Sequence, residues 1–120
     1  MHMEARRMGD SLIVRLNGEL DLHTAEAFRA FVREQLAASD RIRNLILDLR
    51  AVPFIDSSGV GAILGRYKEI REGRAGRLIA FGPRVPVRRV LAMSGLLRVM
   101  DVAETQQEAL AIAKEGKRVP

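Results

Sequence analysis

The sequence contains no cysteine and only two histidines among its 120 residues. The absence of cysteine excludes disulfides and thiolate chemistry, and a reducing compartment fits it. Because cysteine is absent and His2 and His23 are the only imidazoles, no transition-metal site is expected. No cofactor is expected either. The length corresponds to about one domain, and 48% hydrophobic with 29% charged residues is typical of a globular protein.

Long apolar segments are also absent. The apolar stretch near the N terminus, SLIVRLNGEL, is interrupted by Arg15 and Asn17, so it does not resemble a secretory leader. No stretch approaches the roughly 18 to 20 consecutive apolar residues of a membrane-spanning helix. These absences predict a cytoplasmic protein with no membrane partner.

Aromatic residues are scarce, whereas positive charge is abundant. The net charge of +5 raises the question of nucleic acid binding. However, Tyr67 and the four phenylalanines are not interleaved with arginines, as a base-stacking surface would require. The nearest approach to a basic cluster is Arg84, Arg88 and Arg89, whose helical spacing favours a solvated helix face. A direct nucleic acid partner is therefore not expected.

The N-terminal segment predicts a β-hairpin followed by a helix. EARRMGDSLIVRLNG contains two candidate strands joined by Gly9 and Asp10, a pair that suits a tight turn. After GELD the apolar spacing becomes helical, and Asp21 or Thr24 is the candidate N-cap. The apolar positions of this predicted helix are Phe28, Phe31, Val32 and Leu36.

Strands and helices then alternate along the chain. NLILDL and GRLIAFG are predicted strands, and NLILDL is apolar enough to be buried on both faces. PVRRVLAMSG is predicted to form a helix that starts near Pro86 and ends near Gly95, and LLRVMDV is predicted to form a strand. Thr105 and Glu108 are predicted to form a capping box at the start of the last helix. The second predicted helix carries one apolar stripe of Val60, Ile63, Leu64, Tyr67 and Ile70.

This alternation predicts a single α/β domain over residues 1–120, with its core at about 3–115. Strand–helix–strand units with short connections imply right-handed parallel crossovers. The economical architecture is one sheet of about five strands with about four helices packed on it.

The segment FIDSSGVGAILGRYKEI has three competing interpretations, of which the first is phosphate binding. Gly59, Gly61 and Gly65 give GxGxxxG, one residue longer than the dinucleotide fingerprint. The glycines do not follow the first strand directly, LIAFGP offers no ribose-binding acid, and no GK[ST] follows. We therefore interpret Gly59 and Gly61 as positions that let the helix start pack closely against its surroundings.

Serine chemistry is the second interpretation. A serine nucleophile needs a nearby base and an orienting acid, and His23 is the one plausible base. Asp48 and Asp56 could form an acid–base pair, but a strand-ending Asp48 and a turn-ordering Asp56 are simpler assignments. Because G-x-S-x-G is also absent, the chain is not expected to be an enzyme.

Helix capping is the third interpretation. Asp56, Ser57 and Ser58 all suit a helix N-terminus, because their side-chain oxygens accept orphan backbone N–H bonds. One cap suffices, which leaves a spare hydroxyl at the positive end of a helix, where a phosphate is tolerated.

GELDLHTAE, FIDSSGVGAILGRYKEI and LAMSGLLRV, in this order, resemble the STAS domain of anti-sigma factor antagonists. The resemblance extends from about Leu12 to Ile112, and it includes the sporulation-type antagonist that opposes the anti-sigma F factor. It implies a mixed sheet with helices chiefly on one side.

The resemblance also implies a function. In this family the serine after the aspartate is phosphorylated by the anti-sigma factor, which is itself an ATP-dependent kinase. Carried over, Ser57 is the phosphoacceptor, whereas Ser58 lies nearer the cap. The unphosphorylated form would bind the kinase and release the sigma factor, and a phosphatase would reset the switch. The implied partner-binding residues are Asp21, His23, Thr24, Asp56, Ser58, Gly59 and Gly61.

Three alternatives share these motifs. A STAS protein of general stress signalling would differ only in its partner, and a ligand-binding STAS module could use the same loops for a nucleotide. A transporter-type STAS domain is disfavoured because no membrane segment precedes it. The free chain is expected to be monomeric.

Overall fold

A computed structural model describes residues 1–115 of the chain. The last five residues of the predicted domain lie outside the described residues. The elements, in chain order, are β1 (His2–Met8), β2 (Ser11–Asn17), α1 (Ala25–Ala37), β3 (Asn44–Ala51), α2 (Ser57–Arg74), β4 (Leu78–Phe81), α3 (Val85–Met93), a 3₁₀ helix (Leu96–Arg98), β5 (Asp101–Ala103) and α4 (Gln106–Glu115).

The five strands form one sheet in the order β1-β2-β3-β4-β5. β1 and β2 are antiparallel and joined through Gly9, whose φ of 61° is the left-handed conformation that the predicted turn requires. Every other neighbouring pair is parallel. The predicted hairpin and the predicted mixed sheet are therefore confirmed.

Helices cover the two faces of the sheet unequally. On the front face, α1, α2 and α3 bury the main core, to which β2 contributes Leu12, Val14 and Leu16. On the back face, α4 packs through Ala109 and Ala113 against a smaller apolar cluster. As predicted, the helices lie mainly on one side, because alternate residues of each strand point to opposite faces.

The predicted strand LLRVMDV is wrong in its first half. Leu96–Arg98 is a 3₁₀ helix, and only Asp101–Ala103 pairs with β4. Gly95 adopts a φ of 85° directly after α3, and this turn is followed by backbone bonds from Arg98 to Gly95 and from Val99 to Leu96. Local hydrogen bonding therefore replaces the extended conformation.

The apolar stripe predicted for α2 is also partly wrong. Leu64 is 36% exposed, whereas Arg66 is buried against α1. The Arg66 side chain donates to the backbone oxygen of Arg29 at 3.3 Å and forms an ion pair with Glu69. Burial lowers the pKa of Arg66, and Glu69 opposes that shift. A long cationic side chain thus fills the space between α1 and α2 that an apolar residue was expected to fill.

The end of α1 is held by a single side chain of α2. The Arg74 guanidinium donates to the backbone oxygens of Leu36, Ser39 and Ile42, at 2.6, 2.9 and 2.7 Å. Leu36 lies in the last turn of α1, and Ser39 and Ile42 follow the helix, where intrahelical donors run out. Arg74 therefore joins the two helices at the edge of the sheet opposite the loops described next.

Candidate functional site

The predicted site residues lie in two loops at the carboxyl edge of the parallel strands and in the first two turns of α2. Residues 18–24 connect β2 to α1, and residues 52–56 connect β3 to α2. The loops are bonded directly, because Leu20 N donates to Phe54 O at 3.0 Å and Asp56 N donates to Leu20 O at 3.2 Å. In α/β sheets this edge is where ligands and partners bind.

Asp56 organises both loops. Its Oδ1 accepts from Gly59 N at 3.0 Å, which makes Asp56 the N-cap of α2. Its Oδ2 accepts from Leu22 N at 3.1 Å, in the neighbouring loop. The expectation that Ser58 lies nearer the cap is therefore wrong. Asp56 is the N-cap, and both serines follow it inside the helix.

The loop before α1 is ordered by Asp21 and Thr24. Asp21 Oδ1 accepts from the backbone N–H groups of His23 and Thr24, and Asp21 N donates to the Thr24 hydroxyl. That hydroxyl donates to Glu19 O at 2.8 Å. Thr24 occupies the N-cap position of α1, as predicted, but its side chain makes no capping hydrogen bond to the first-turn N–H groups. Asp21 and Thr24 instead fix the loop against itself.

The two glycines of the motif have different roles. A Cβ on Gly59 would lie 2.4 Å from Leu20 O and 2.8 Å from Ile55 Cγ2, so the predicted close packing is confirmed there. A Cβ on Gly61 would have no atom within 4 Å outside its own helix, so the prediction is wrong for Gly61. Gly59 therefore sets the distance between α2 and the Leu20 loop.

Ser57 and Ser58 are the first two residues of α2. Ser57 is exposed and Ser58 is half-buried, and within residues 1–115 neither hydroxyl makes a hydrogen bond. The first-turn N–H groups that find acceptors are those of Gly59 and Val60, which bond to Asp56. The N–H groups of the two serines thus remain at the positive end of the helix.

Exposed apolar side chains lie at the same edge of the sheet as this site, and the sequence interpretation missed them. Leu22, Phe54 and Val85 are 70%, 47% and 61% exposed. Each follows a different parallel strand, so all three lie at the carboxyl edge. The available signal was an apolar residue inside each predicted loop.

The candidate acid–base residues do not form a catalytic pair. Asp48 lies inside β3 rather than at its end, and its carboxylate bonds to the Arg50 side chain at 2.8 and 3.0 Å. Burial alone would raise the pKa of Asp48, but the hydrogen bonds from Arg50 hold it below its ordinary value. His23, the candidate base, is exposed in the loop between β2 and α1.

None of the described helices is long and apolar enough to cross a membrane.

Comparison with known proteins identifies the family. The sequence model of the STAS domain family matches residues 2–109, which is nearly all of the described chain. The chain belongs to the STAS family. An anti-sigma F factor antagonist of Paenibacillus polymyxa is 40% identical over 82% of this chain and 83% of its own length.

Solved STAS structures agree with the fold. The anti-sigma factor antagonist SpoIIAA in its unphosphorylated form superimposes with a TM-score of 0.78, at 32% identity, over 99% of this chain and 100% of its own. The phosphorylated form of the Bacillus cell fate determinant SpoIIAA gives a TM-score of 0.70, at 32% identity, over 92% and 97%. The predicted resemblance to anti-sigma factor antagonists of the STAS family is thus confirmed.

Proposed function

We propose that this STAS domain is an anti-sigma factor antagonist whose partner binding is switched off by phosphorylation of Ser57. The observation that carries the proposal is the free, exposed Ser57 hydroxyl at the first position of α2, between two loops bonded to each other. Similarity to an anti-sigma F factor antagonist and to phosphorylated SpoIIAA supports it. The unphosphorylated form binds a kinase that is also the anti-sigma factor, and so releases the sigma factor.

The choice of Ser57 over Ser58 rests on exposure. A kinase must reach the hydroxyl oxygen, and Ser57 is exposed whereas Ser58 is half-buried. Because the Ser57 hydroxyl has no acceptor or donor to lose within the described residues, its modification breaks no bond of the fold. ATP is bound by the partner kinase in this proposal, and the chain itself requires no cofactor.

The charge of the phosphate explains how binding is lost while the fold persists. Phosphorylation adds about −1.5 to −2 charges at neutral pH. The N-terminal N–H groups of α2 stabilise this charge within the domain. At the partner surface, however, it lies beside the carboxylate of Asp56 and repels an acidic or phosphate-bearing site.

The docking surface in this proposal combines the polar loops with the apolar side chains around them. Asp21, His23 and Thr24 contribute from the loop before α1, and Leu22, Phe54 and Val85 contribute exposed apolar area. Apolar side chains at the centre of a contact supply most of its energy, whereas a nearby charge sets specificity. A phosphate at Ser57 therefore disturbs a surface whose apolar part it does not change.

The direct test is incubation with the cognate kinase and ATP, followed by peptide mapping of the phosphate. We expect phosphate on Ser57, no phosphorylation of Ser57→Ala, and normal phosphorylation of the matched variant Ser58→Ala. Phosphate on Ser58 with Ser57 unmodified would refute the site assignment.

Binding to the anti-sigma factor tests the switch separately. Calorimetry should show tight binding for the wild type and for Ser57→Ala, and weak binding for Ser57→Asp. Equal affinity of all three proteins would contradict the charge argument. Tight binding of ATP or GTP to the isolated chain would favour the nucleotide-sensing alternative, and binding only to a general-stress anti-sigma factor would favour the stress-response alternative.

A further inference from the structure

The outer edge of β1 is open. In the described part of the chain β1 pairs with β2 on one side only, so its other side presents unpaired backbone N–H and C=O groups. A groove of about 680 Å³ borders this edge and extends over the back face of the sheet to Ile13 and Arg50. Residues 3–6 line it, together with Phe31 and Gln35 of α1 and with Arg15 and Asp48 of the sheet. The groove therefore borders the edge at which an added strand would pair, and the open backbone groups of β1 mark that edge.

The side chains of β1 alternate between the two faces of the sheet. Met3 and Ala5 are half-buried and pack against the main core on the front face, beside Phe31. Glu4 and Arg6 point to the back face and are exposed. A strand added at this edge would cover the apolar front residues and would meet the charged residues on the back.

The charges of the back face alternate across the sheet toward this edge. Arg50 bonds to Asp48, Asp48 lies opposite Arg15 in the strand register, and Arg15 lies opposite Glu4. The row ends at Glu4, which makes an exposed contact with the imidazole of His2, on the same strand, at 3.5 Å. A cation on the next strand would continue the alternation.

In contrast to the monomer expected from the sequence, we propose that β1 pairs antiparallel with β1 of a second copy, around a two-fold axis at Ala5. This register overlaps the full strand His2–Met8, because Ala5 is its middle residue. It places Glu4 of each copy opposite Arg6 of the other, and Ala5 opposite its own equivalent. The result is a continuous ten-stranded sheet with two new cross-strand pairs of opposite charge.

The charges select this register over its neighbours. A two-fold register keeps each residue on its own face, so back-face residues pair only with back-face residues. A register centred on Glu4 would place that carboxylate opposite its own equivalent, and one centred on Arg6 would do the same with two guanidinium groups. Arg6 donates to Gln106 of its own chain at 3.3 Å, an exposed contact that pairing can replace.

The proposed dimer leaves the Ser57 site open. α1 packs against β1 and β2, whereas α2 packs against β3 and β4. The start of α2 follows β3, which lies two strands away from β1 in the sheet order. A dimer would carry two accessible phosphoacceptor sites, and its existence does not depend on the proposed switch.

Sedimentation velocity over a wide concentration range tests the proposal. We expect the wild type to approach twice its 13.3 kDa mass, and Glu4→Arg and Arg6→Glu each to remain monomeric. Mixing the two variants should restore a dimer, because each cross-strand pair would then join an arginine of one variant to a glutamate of the other. The matched control is Arg7→Glu, which makes the same charge change on the front face opposite Met3, and it should still dimerise.

Three results would overturn the proposal. The first is a wild-type protein that stays monomeric at the highest concentration, and the second is a dimer that survives both single substitutions. The third is two folded monomeric variants that do not associate when mixed. Circular dichroism and thermal unfolding of each variant establish that it is folded, so a loss of association is not a loss of structure.

Discussion

Gly59 and Gly61 provide a matched pair of alanine substitutions with opposite expected effects. Both glycines lie near the start of α2, so alanine improves the helical propensity at each position by about 0.5 to 1 kcal/mol. At Gly61 the added methyl group meets no atom within 4 Å. We therefore expect Gly61→Ala to raise the free energy of unfolding by that amount.

At Gly59 the same methyl group would lie 2.4 Å from Leu20 O and 2.8 Å from Ile55 Cγ2. The first of these is a backbone atom whose position is fixed by its bond from Asp56 N. Overpacking costs about 1 to 3 kcal/mol, and the upper part of that range applies because no flexible side chain can yield. After subtraction of the propensity gain, Gly59→Ala should lose about 2 kcal/mol.

Urea unfolding followed by circular dichroism measures both changes. With a denaturant slope of about 2 kcal/mol per M, the Gly59→Ala midpoint falls by about 1 M and the Gly61→Ala midpoint rises slightly. Gly59→Ala should also weaken anti-sigma factor binding, because the Leu20 loop must move. Equal midpoints for the two variants would refute the close approach of α2 to this loop.

Three further predictions concern charged side chains. Asp56→Asn retains one oxygen acceptor but replaces the other with an amino group, so the bond from Leu22 N should be lost. The free energy of unfolding, measured with urea, should fall by about 1 kcal/mol, and an unchanged value would contradict the bridging role of Asp56. Arg74→Met should lose about 2 to 3 kcal/mol, because three backbone carbonyls at the end of α1 lose a charged donor, and Arg74→Lys should recover only part of it. The depressed pKa of Asp48 contributes stability that is present above its ordinary pKa of 3.8 and is lost as the pH falls through the folded-state value. The free energy of unfolding should therefore fall more steeply below about pH 4 in the wild type than in Asp48→Asn; parallel curves would show that the Arg50 pairing does not shift the pKa.

The fold was predictable from the sequence where local pattern and tertiary environment agree. The hairpin at Gly9, the buried strand NLILDL and the alternation of strands with helices all follow from apolar periodicity and turn residues. The segment after Gly95 was predicted wrongly, because LLRVMDV is apolar enough for a strand while its backbone bonds close locally. Arg66 was missed because a buried arginine that donates to a backbone oxygen has no distinct sequence pattern.

The sequence by itself determined the family, the α/β architecture and the segment that contains the candidate site, because these depend on the order and spacing of residues. Only the tertiary structure decided which oxygen caps α2, which glycine is sterically required and which serine is exposed. Asp56 reaches Leu22 across 34 positions of the chain, and Gly59 meets Leu20 across a similar separation. Such contacts arise when parallel strands bring their carboxyl ends to one edge of the sheet. A local sequence pattern cannot predict contacts between residues so far apart in the chain.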